Sequence, residues 1–413
     1  MKFNPANGWR LCGYLFVFKA VYIGLLSAIL LLWLGSEKTT ASHPYWPNWA
    51  PDRGQPVQAH FASTDGNYYL NLSEKGYQSG LSDCAFYPLY PLLIRWVSSG
   101  TRLNDLLIGM VLSNLFSLAA FLLFFWKVAR HYGEAVATLS LVLLLAFPGS
   151  LFFQFIYTES LFFLLLMLFC IGLEQDCFAL ALATAFLLPL TRAVGIFCIF
   201  PLLWRLFFRS PPVWWEKLAG RPEWTGKIAR FLAPRPADSP LSKPPGWGGM
   251  RSLVLVLSPL LGWAAYFMLM WKWTGNPFEG IEAQKKFGVQ SIHNLFDPIR
   301  FVKLLFNPTD WHAFRGSLLD RCVFVLLINC LPLIWKLDKG WGIWAFFLGV
   351  VPAVSGGFTS FTRFASVVFP LFIALGVLLS KPKWRWLRWL TLIVFATLHL
   401  ILVWRFVNFR WAG

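Results

Sequence analysis

The stretch that decides the fold runs from Ala146 to Phe169 and reads AFPGSLFFQFIYTESLFFLLLMLF. Most of its side chains are apolar or aromatic, and a bilayer-spanning helix needs about 20 such residues. A proline, a glycine and one carboxylate, Glu159, interrupt the run. The stretch therefore predicts two membrane spans joined by a polar turn that carries Glu159.

The whole chain has the composition of a membrane protein. Its 413 residues are 57% hydrophobic and 13% charged, with a mean hydropathy of +0.58, which excludes an ordinary soluble domain. The net charge of +17 comes from Lys and Arg concentrated in short connectors. That pattern is typical of membrane topology signals, and we expect no nucleic-acid partner. The seven cysteines form neither a disulfide framework nor a paired metal-binding motif.

The apolar runs predict an all-α polytopic protein with about eleven spans, forming a single transmembrane domain over 1–413. The predicted spans are 11–34, 104–126, 135–152, 159–173, 177–190, 194–208, 252–271, 319–335, 341–354, 364–380 and 387–404.

The distribution of Lys and Arg predicts the orientation of these spans. The connectors dense in positive charge are 127–130, the basic loop 209–251, 336–339 and 381–388. The positive-inside rule places them and the N-terminus in the cytoplasm. The longer, more dilute loops 35–103 and 272–318 then lie outside. The turns that hold Asp65, Glu159, Arg192 and Arg363 all emerge on that outer face.

The first outer loop contains DGNYYLNLSEKGYQSGLSDCAFYPLYPLLIR, residues 65–95. Asp65 and Gly66 suit a turn. The following run is amphipathic and can lay Tyr68, Tyr69, Leu72 and Tyr77 on the membrane surface. In the simplest interpretation Asp65 is a solvated residue that caps a short interfacial helix.

Glu159 has two compatible interpretations. An acidic group well inside a bilayer costs about 2.5–3.5 kcal/mol on insertion scales, so it is usually paired or functional. Alternatively, YTES lies at the interface, where Thr158 caps the next helix and Glu159 occupies its first turn.

Two arginines interrupt later apolar runs. Arg192 lies in LLPLTRAVGIF, residues 187–197, and Arg363 in SGGFTSFTRFASVVFPLF, residues 355–372. Snorkelling to the interface explains one such arginine. Two on the same face, opposite acidic groups, favour an anion-binding pair, because guanidinium groups match phosphate oxygens.

Taken in order, the four segments resemble the PIG-V-type mannosyltransferases. The quoted motifs are DGNYYLNLSEKGY with AFYPLYPLLIR, FPGSLFFQFIYTESLF, LTRAVGI and TRFASVVFPLF, and they extend from about residue 60 to 380. Those enzymes belong to the GT-C membrane glycosyltransferases, which use polyprenyl-phosphate-linked sugars on the non-cytoplasmic face. The length and few soluble insertions resemble a prokaryotic relative, which implies the plasma (inner) membrane with an extracytoplasmic site.

The resemblance implies a role for each candidate residue. Asp65 would act as general base on the acceptor hydroxyl, in an inverting transfer of a hexose, mannose by resemblance, to a lipid or glycolipid. Arg363 and Arg192 would neutralise the carrier phosphate, and Glu159 would orient sugar hydroxyls or hold an arginine. Tyr68 and Tyr69 would belong to a membrane-surface platform for the acceptor.

This scheme requires no cofactor and no metal, and the sequence has no His/carboxylate cluster with metal-ligand spacing. Its expected partners are the polyprenyl-phosphate donor, the acceptor and membrane lipids. The alternatives are a polyprenyl-lipid flippase or transporter and an inactive scaffold of the same fold. A transporter is expected to place ionisable groups near mid-membrane and to contain repeats, and neither feature is visible.

Overall fold

The computed structural model describes residues 5–36, 60–207, 249–288 and 292–413, with a few positions between 217 and 225. Over these residues the secondary structure is helical, without a β-strand. The α-helices are α1 Pro5–Ser36, α2 Asp65–Lys75, α3 Leu89–Thr101, α4 Asp105–Tyr132, α5 Glu134–Ala146, α6 Glu159–Glu174, α7 Phe178–Thr191, α8 Ile199–Phe207, α9 Gly249–Thr274, α10 Glu279–Phe287, α11 Pro298–Phe306, α12 Leu318–Leu337, α13 Lys339–Ala345, α14 Val351–Ser355, α15 Phe361–Ala365, α16 Phe369–Leu379 and α17 Arg385–Val407.

The prediction of an all-α polytopic fold is confirmed. Five helical segments are long and apolar enough to cross a membrane: Gly8–Leu32, Asp105–Tyr132, Gly249–Thr274, Leu318–Leu337 and Pro382–Val407. The other predicted spans fall on shorter or interrupted helices, so the number eleven stays a prediction. The basic loop 209–251 and residues 37–59 of the first outer loop lie largely outside the described residues.

Prolines set two boundaries that differ from the predicted spans. In the predicted span 135–152, α5 ends at Ala146 and a 3₁₀ turn, Pro148–Phe153, follows. Phe147 has ψ 137° because the residue before a proline is driven out of the α region. The predicted span 364–380 is likewise two helices, α15 and α16, and Pro370 lies in the first turn of the second.

The core lies around two apolar helices, α6 and α16. Almost every side chain of both is buried, as expected for helices without a polar face. α6 packs between α4 and α7, and α16 packs against α5 and α12. The 16 residues of α6 extend about 24 Å, less than the usual hydrocarbon thickness of about 30 Å.

A buried ion pair marks the end of α6 that lies away from Glu159. Lys127 of α4 contacts Glu174, the last residue of α6, and their side chains are 0% and 7% exposed. The prediction of a basic connector at 127–130 is therefore wrong for Lys127. α4 continues to Tyr132, and Lys127 is covered within the bundle.

The two predicted outer loops contact each other. Glu279, at the start of α10 in loop 272–318, accepts a hydrogen bond of 2.7 Å from the backbone N–H of Gly80 in loop 35–103. The amide of Gln284 donates to the carbonyl of Ala85 at 2.8 Å. These contacts place α10 over the segment that follows α2, on the side of the molecule that carries Asp65.

Candidate active site

The four charged residues singled out in the sequence meet in one cluster. Arg363 Nη1 contacts Asp65 Oδ2, and its Nε donates to Glu159 Oε1 at 2.5 Å. Arg192 Nη1 contacts the same Glu159 oxygen. Three consecutive ion pairs therefore join residues that are up to 298 positions apart in the chain.

Glu159 holds the cluster together. Its side chain is fully buried, whereas those of Arg192 and Arg363 are 11% and 8% exposed. A buried carboxylate without cations would be very costly in a low-dielectric interior, and removing one partner of such a pair leaves an uncompensated charge. Of the two roles predicted for Glu159, holding the arginines is the one its contacts support.

Asp65 is the carboxylate that remains accessible. It occupies the first position of α2, and its side chain is 23% exposed. Oδ2 contacts Arg363, while Oδ1 has no hydrogen bond to the described part of the chain. The interpretation of Asp65 as a capping residue is wrong: no side-chain cap closes this helix, and the carboxylate points to Arg363 instead.

The backbone before Asp65 is held in a strained conformation. Thr64 has φ 53°, an outlier for a β-branched residue. The hydroxyl of Tyr157 contacts the Thr64 hydroxyl, accepts from the backbone N–H of Asp65 at 3.2 Å and donates to the Ser63 carbonyl at 3.1 Å. The Tyr157 ring also lies 4.7 Å from the Arg363 guanidinium. Tyr157 therefore positions both members of the Asp65–Arg363 pair.

A second buried carboxylate fixes the segment that carries Arg363. Asp320, in the first turn of α12, accepts a 2.6 Å hydrogen bond from the backbone N–H of Thr362. On another side, Gly149 lies so close that a Cβ there would be 2.1 Å from the Thr362 carbonyl oxygen. α15 is thereby held between α12 and the 3₁₀ turn that precedes α6.

The predicted interfacial position of the tyrosines is only partly observed. Tyr68 is half-buried and stacks on Phe86 with ring centroids 4.8 Å apart. Tyr69, Leu72 and Tyr77 are buried, so their predicted membrane-surface position is wrong. Tyr69 and Leu72 are covered because α2 packs against α3, α4 and the segment under α10, and the Tyr77 ring stacks on Trp273 of α9.

Thr158 also differs from its prediction. It precedes α6 but makes no side-chain cap. Its hydroxyl instead lies 3.3 Å from the Tyr69 hydroxyl and 3.4 Å from Arg192 Nη1. Among the hydrogen bonds of the described residues, Tyr69 is joined to the cluster through Thr158.

Sequence reasoning missed three residues of this site: Tyr157, Asp320 and Gly149. Tyr157 and Gly149 lie inside the quoted stretch 146–169, and the proximity of Tyr157 to Glu159 was the available signal. Asp320 sits at the start of a predicted span, where a carboxylate is expected at a helix N-terminus. Nothing in the sequence pairs it with Thr362.

No protein-family model and no curated protein matches the chain. Among solved structures it is similar to the Archaeoglobus fulgidus oligosaccharyltransferase AglB in complex with an inhibitory peptide and a dolichol-phosphate. The identity is 13% and the TM-score 0.43, over 96% of this chain and 56% of that one. A complex of the A. fulgidus oligosaccharyltransferase with Zn and sulfate matches at 12% identity and TM-score 0.42, over 85% of this chain and 48% of that one.

The chain thus spans about half the length of the solved chains it matches. At these identities and TM-scores the likeness assigns no activity to this chain.

Proposed function

We propose that the chain is a membrane glycosyltransferase of the GT-C type. It transfers a hexose, mannose by resemblance to the PIG-V-type enzymes, from a polyprenyl-phosphate donor to a lipid or glycolipid acceptor. The reaction takes place at the extracytoplasmic face and inverts the anomeric carbon. Support comes from the ordered sequence motifs together with the ion-paired cluster that their charged residues form.

The observation that carries the proposal is the difference between the two carboxylates of the cluster. Glu159 is fully buried and both arginines contact its Oε1, while Asp65 is 23% exposed and its Oδ1 makes no hydrogen bond to the described residues. A general base must lie within hydrogen-bond reach of the proton it removes. Asp65 meets this requirement for an acceptor that approaches from the outer side, and Glu159 does not.

In the proposed step, the acceptor oxygen forms a bond to the anomeric carbon while the bond from that carbon to the phosphate oxygen breaks. The acceptor proton passes to Asp65 Oδ1, and the polyprenyl phosphate leaves with the bonding electrons. Arg363 holds Asp65 by one nitrogen, which fixes the direction of Oδ1. Its guanidinium, with that of Arg192, also provides positive charge beside the phosphate as negative charge develops on the leaving oxygen.

Tyr68 has a separate proposed role. It is half-buried three residues after Asp65 and stacks on Phe86, and its exposed part offers an aromatic surface to the acceptor. Buried Tyr69 acts through Thr158 on Arg192 rather than on the substrate directly.

The test is a transfer reaction with purified protein, polyprenyl-phosphate mannose labelled in the sugar, and a lipid extract as acceptor. The proposal expects a labelled glycolipid whose new linkage has the inverted configuration, assigned with α- and β-specific glycosidases. Polyprenyl-phosphate glucose in a parallel reaction tests the choice of hexose. In proteoliposomes, movement of the intact labelled carrier between leaflets without any transfer would contradict the proposal and indicate a flippase.

A further inference from the structure

Beyond the ion-paired cluster, a cleft of about 220 Å³ opens where α2, α3 and α9 meet. Its lining combines two cations with apolar and aromatic groups: Leu72, Lys75, Gly76, Tyr77, Pro91, Leu92, Arg95 and Trp273. The Tyr77 ring stacks on the Trp273 ring at 4.8 Å and 10°, which forms one flat wall. The cleft therefore offers positive charge next to a rigid apolar surface.

The two cations of the cleft, Lys75 and Arg95, are not neutralised by a carboxylate of the described part of the chain. Both are exposed, and neither forms an ion pair with a described residue. Lys75, in the last turn of α2, also complements the negative end of that helix dipole. Arg95 lies in the middle of α3 and has no such role. Its guanidinium leans over Gly76, 3.4 Å from where a Cβ would stand, and thus lies beside Lys75.

The surroundings of the cleft place it at the level of lipid headgroups. Trp273 is the penultimate residue of α9, which is long and apolar enough to span a membrane, and Trp is enriched where spans meet the interface. Leu92, which lines the cleft, is 37% exposed. Trp96 and Trp271, close in sequence to the lining residues Arg95 and Trp273, are 74% and 63% exposed. The part of a bound ligand that enters the bilayer would thus lie next to apolar side chains.

We propose that this cleft binds the phosphate headgroup of an anionic lipid. Lys75 and Arg95 contact the phosphate oxygens, and the acyl chains run along Leu92 and Trp96. Arginine suits phosphate because its planar fork presents parallel donors. The ten-residue separation of Lys75 from Asp65 along α2 corresponds to about 15 Å, so the cleft is distinct from the ion-paired cluster and does not depend on its proposed activity.

The experiment measures lipid binding to the purified chain in neutral detergent by native mass spectrometry. The ligands are phosphatidylglycerol, phosphatidylcholine and inorganic phosphate, and the variants are Lys75→Gln, Arg95→Gln, Arg95→Lys and the double glutamine variant. Lys272→Gln is the matched control, because Lys272 is exposed beside Trp273 but does not line the cleft. Thermal unfolding without added lipid checks that each variant is folded.

We expect one phosphatidylglycerol to bind at least tenfold more tightly than phosphatidylcholine. Each glutamine variant should weaken that binding about tenfold, and the double variant roughly a hundredfold. Arg95→Lys should lose less than Arg95→Gln, and Lys272→Gln and Asp65→Asn should bind as the unsubstituted chain does.

Equal binding of both lipids, or an unchanged affinity in the double variant, would overturn the proposal. Inorganic phosphate that binds as tightly as phosphatidylglycerol would assign the cleft to free phosphate and overturn its assignment to a lipid. Because Asp65→Asn should retain lipid binding, failure of this proposal and failure of the transferase proposal are distinguishable.

Discussion

Arg363 is the residue through which the two carboxylates of the cluster are joined. It uses Nη1 for Asp65 and Nε for Glu159, two separate nitrogens of one rigid plane. Lysine has a single nitrogen on a flexible stem, so it keeps the charge but cannot reproduce both directions. Arg192 uses only Nη1 toward Glu159 and Thr158 and provides a matched comparison.

We predict that Arg363→Lys lowers transfer at least tenfold, whereas Arg192→Lys lowers it less. A lost charge-assisted hydrogen bond is worth roughly 1.5–3 kcal/mol, which corresponds to about a ten- to hundredfold change. Turnover and affinity for the phosphorylated carrier are measured for both variants in the same detergent. An unchanged Arg363→Lys enzyme would show that transfer does not need the two directions in which the Arg363 guanidinium contacts Asp65 and Glu159.

The charged residues of the site could be identified from the sequence, but the residues that hold them in position could not. Asp65, Glu159, Arg192 and Arg363 stand out because charge is rare and costly against an apolar background. The side-chain hydrogen bonds of Tyr157, by contrast, are made with residues more than 90 positions away. An aromatic residue among many gives no local sign of such contacts.

At the scale of elements, the 3₁₀ turn Pro148–Phe153 and α15 approach each other through Gly149. The calculated Cβ position at 149 lies 2.1 Å from the Thr362 carbonyl oxygen and 3.1 Å from the Arg363 Cα. Only a residue without a side chain permits this approach of two backbones. The position of Arg363 thus depends on Gly149, a residue with no side chain that could take part in the reaction.

We predict that Gly149→Ala destabilises the protein by about 1–3 kcal/mol, the usual cost of overpacking, and lowers transfer because α15 shifts. Thermal unfolding and transfer rate are measured together. Gly100→Ala is the control, since a Cβ at 100 meets nothing within 4 Å and its φ is not positive. If both alanine variants behaved alike, the close approach at 149 would not position Arg363.

Several predicted spans matched helices because the length of an apolar run is a local property of the sequence. α1, α4, α9 and α12 begin and end within six residues of the predictions. The burial of Tyr69 and Leu72 was not predictable in this way, since it depends on how later elements cover α2. Amphipathicity shows that a helix has an apolar face, but it does not show whether lipid or protein covers that face.

At the scale of the whole molecule, two ion-paired clusters lie at opposite ends of α6. Glu159 at its first residue joins the arginines, and Glu174 at its last residue joins Lys127. The positive-inside rule predicts that the Glu174 end is cytoplasmic. The orientation is a prediction that labelling tests directly.

We predict that a cysteine at Ser79 reacts with an impermeant maleimide on intact cells, and one at Lys383 only after permeabilisation. Both positions are exposed. Exposed Cys177 and Cys322 are first changed to serine to reduce background, and the cysteine-reduced parent serves as control. Labelling of both reporters from the same side would contradict the predicted number of spans between Ser79 and Lys383. It would also contradict the proposed extracytoplasmic position of the site.

The central claim is that Asp65 is the base of a glycosyl transfer, and the rate of transfer by Asp65→Asn tests it most directly. The asparagine has nearly the same shape but cannot take the acceptor proton at neutral pH, and a general base contributes typically 10²–10⁴-fold. Glu74→Gln, which neutralises an exposed carboxylate on the same helix, is the matched control. We predict that Asp65→Asn stays folded and that its transfer rate falls at least a hundredfold, while Glu74→Gln keeps the rate of the unsubstituted chain. An Asp65→Asn enzyme that transfers at the unsubstituted rate would contradict the assignment of Asp65 as the general base.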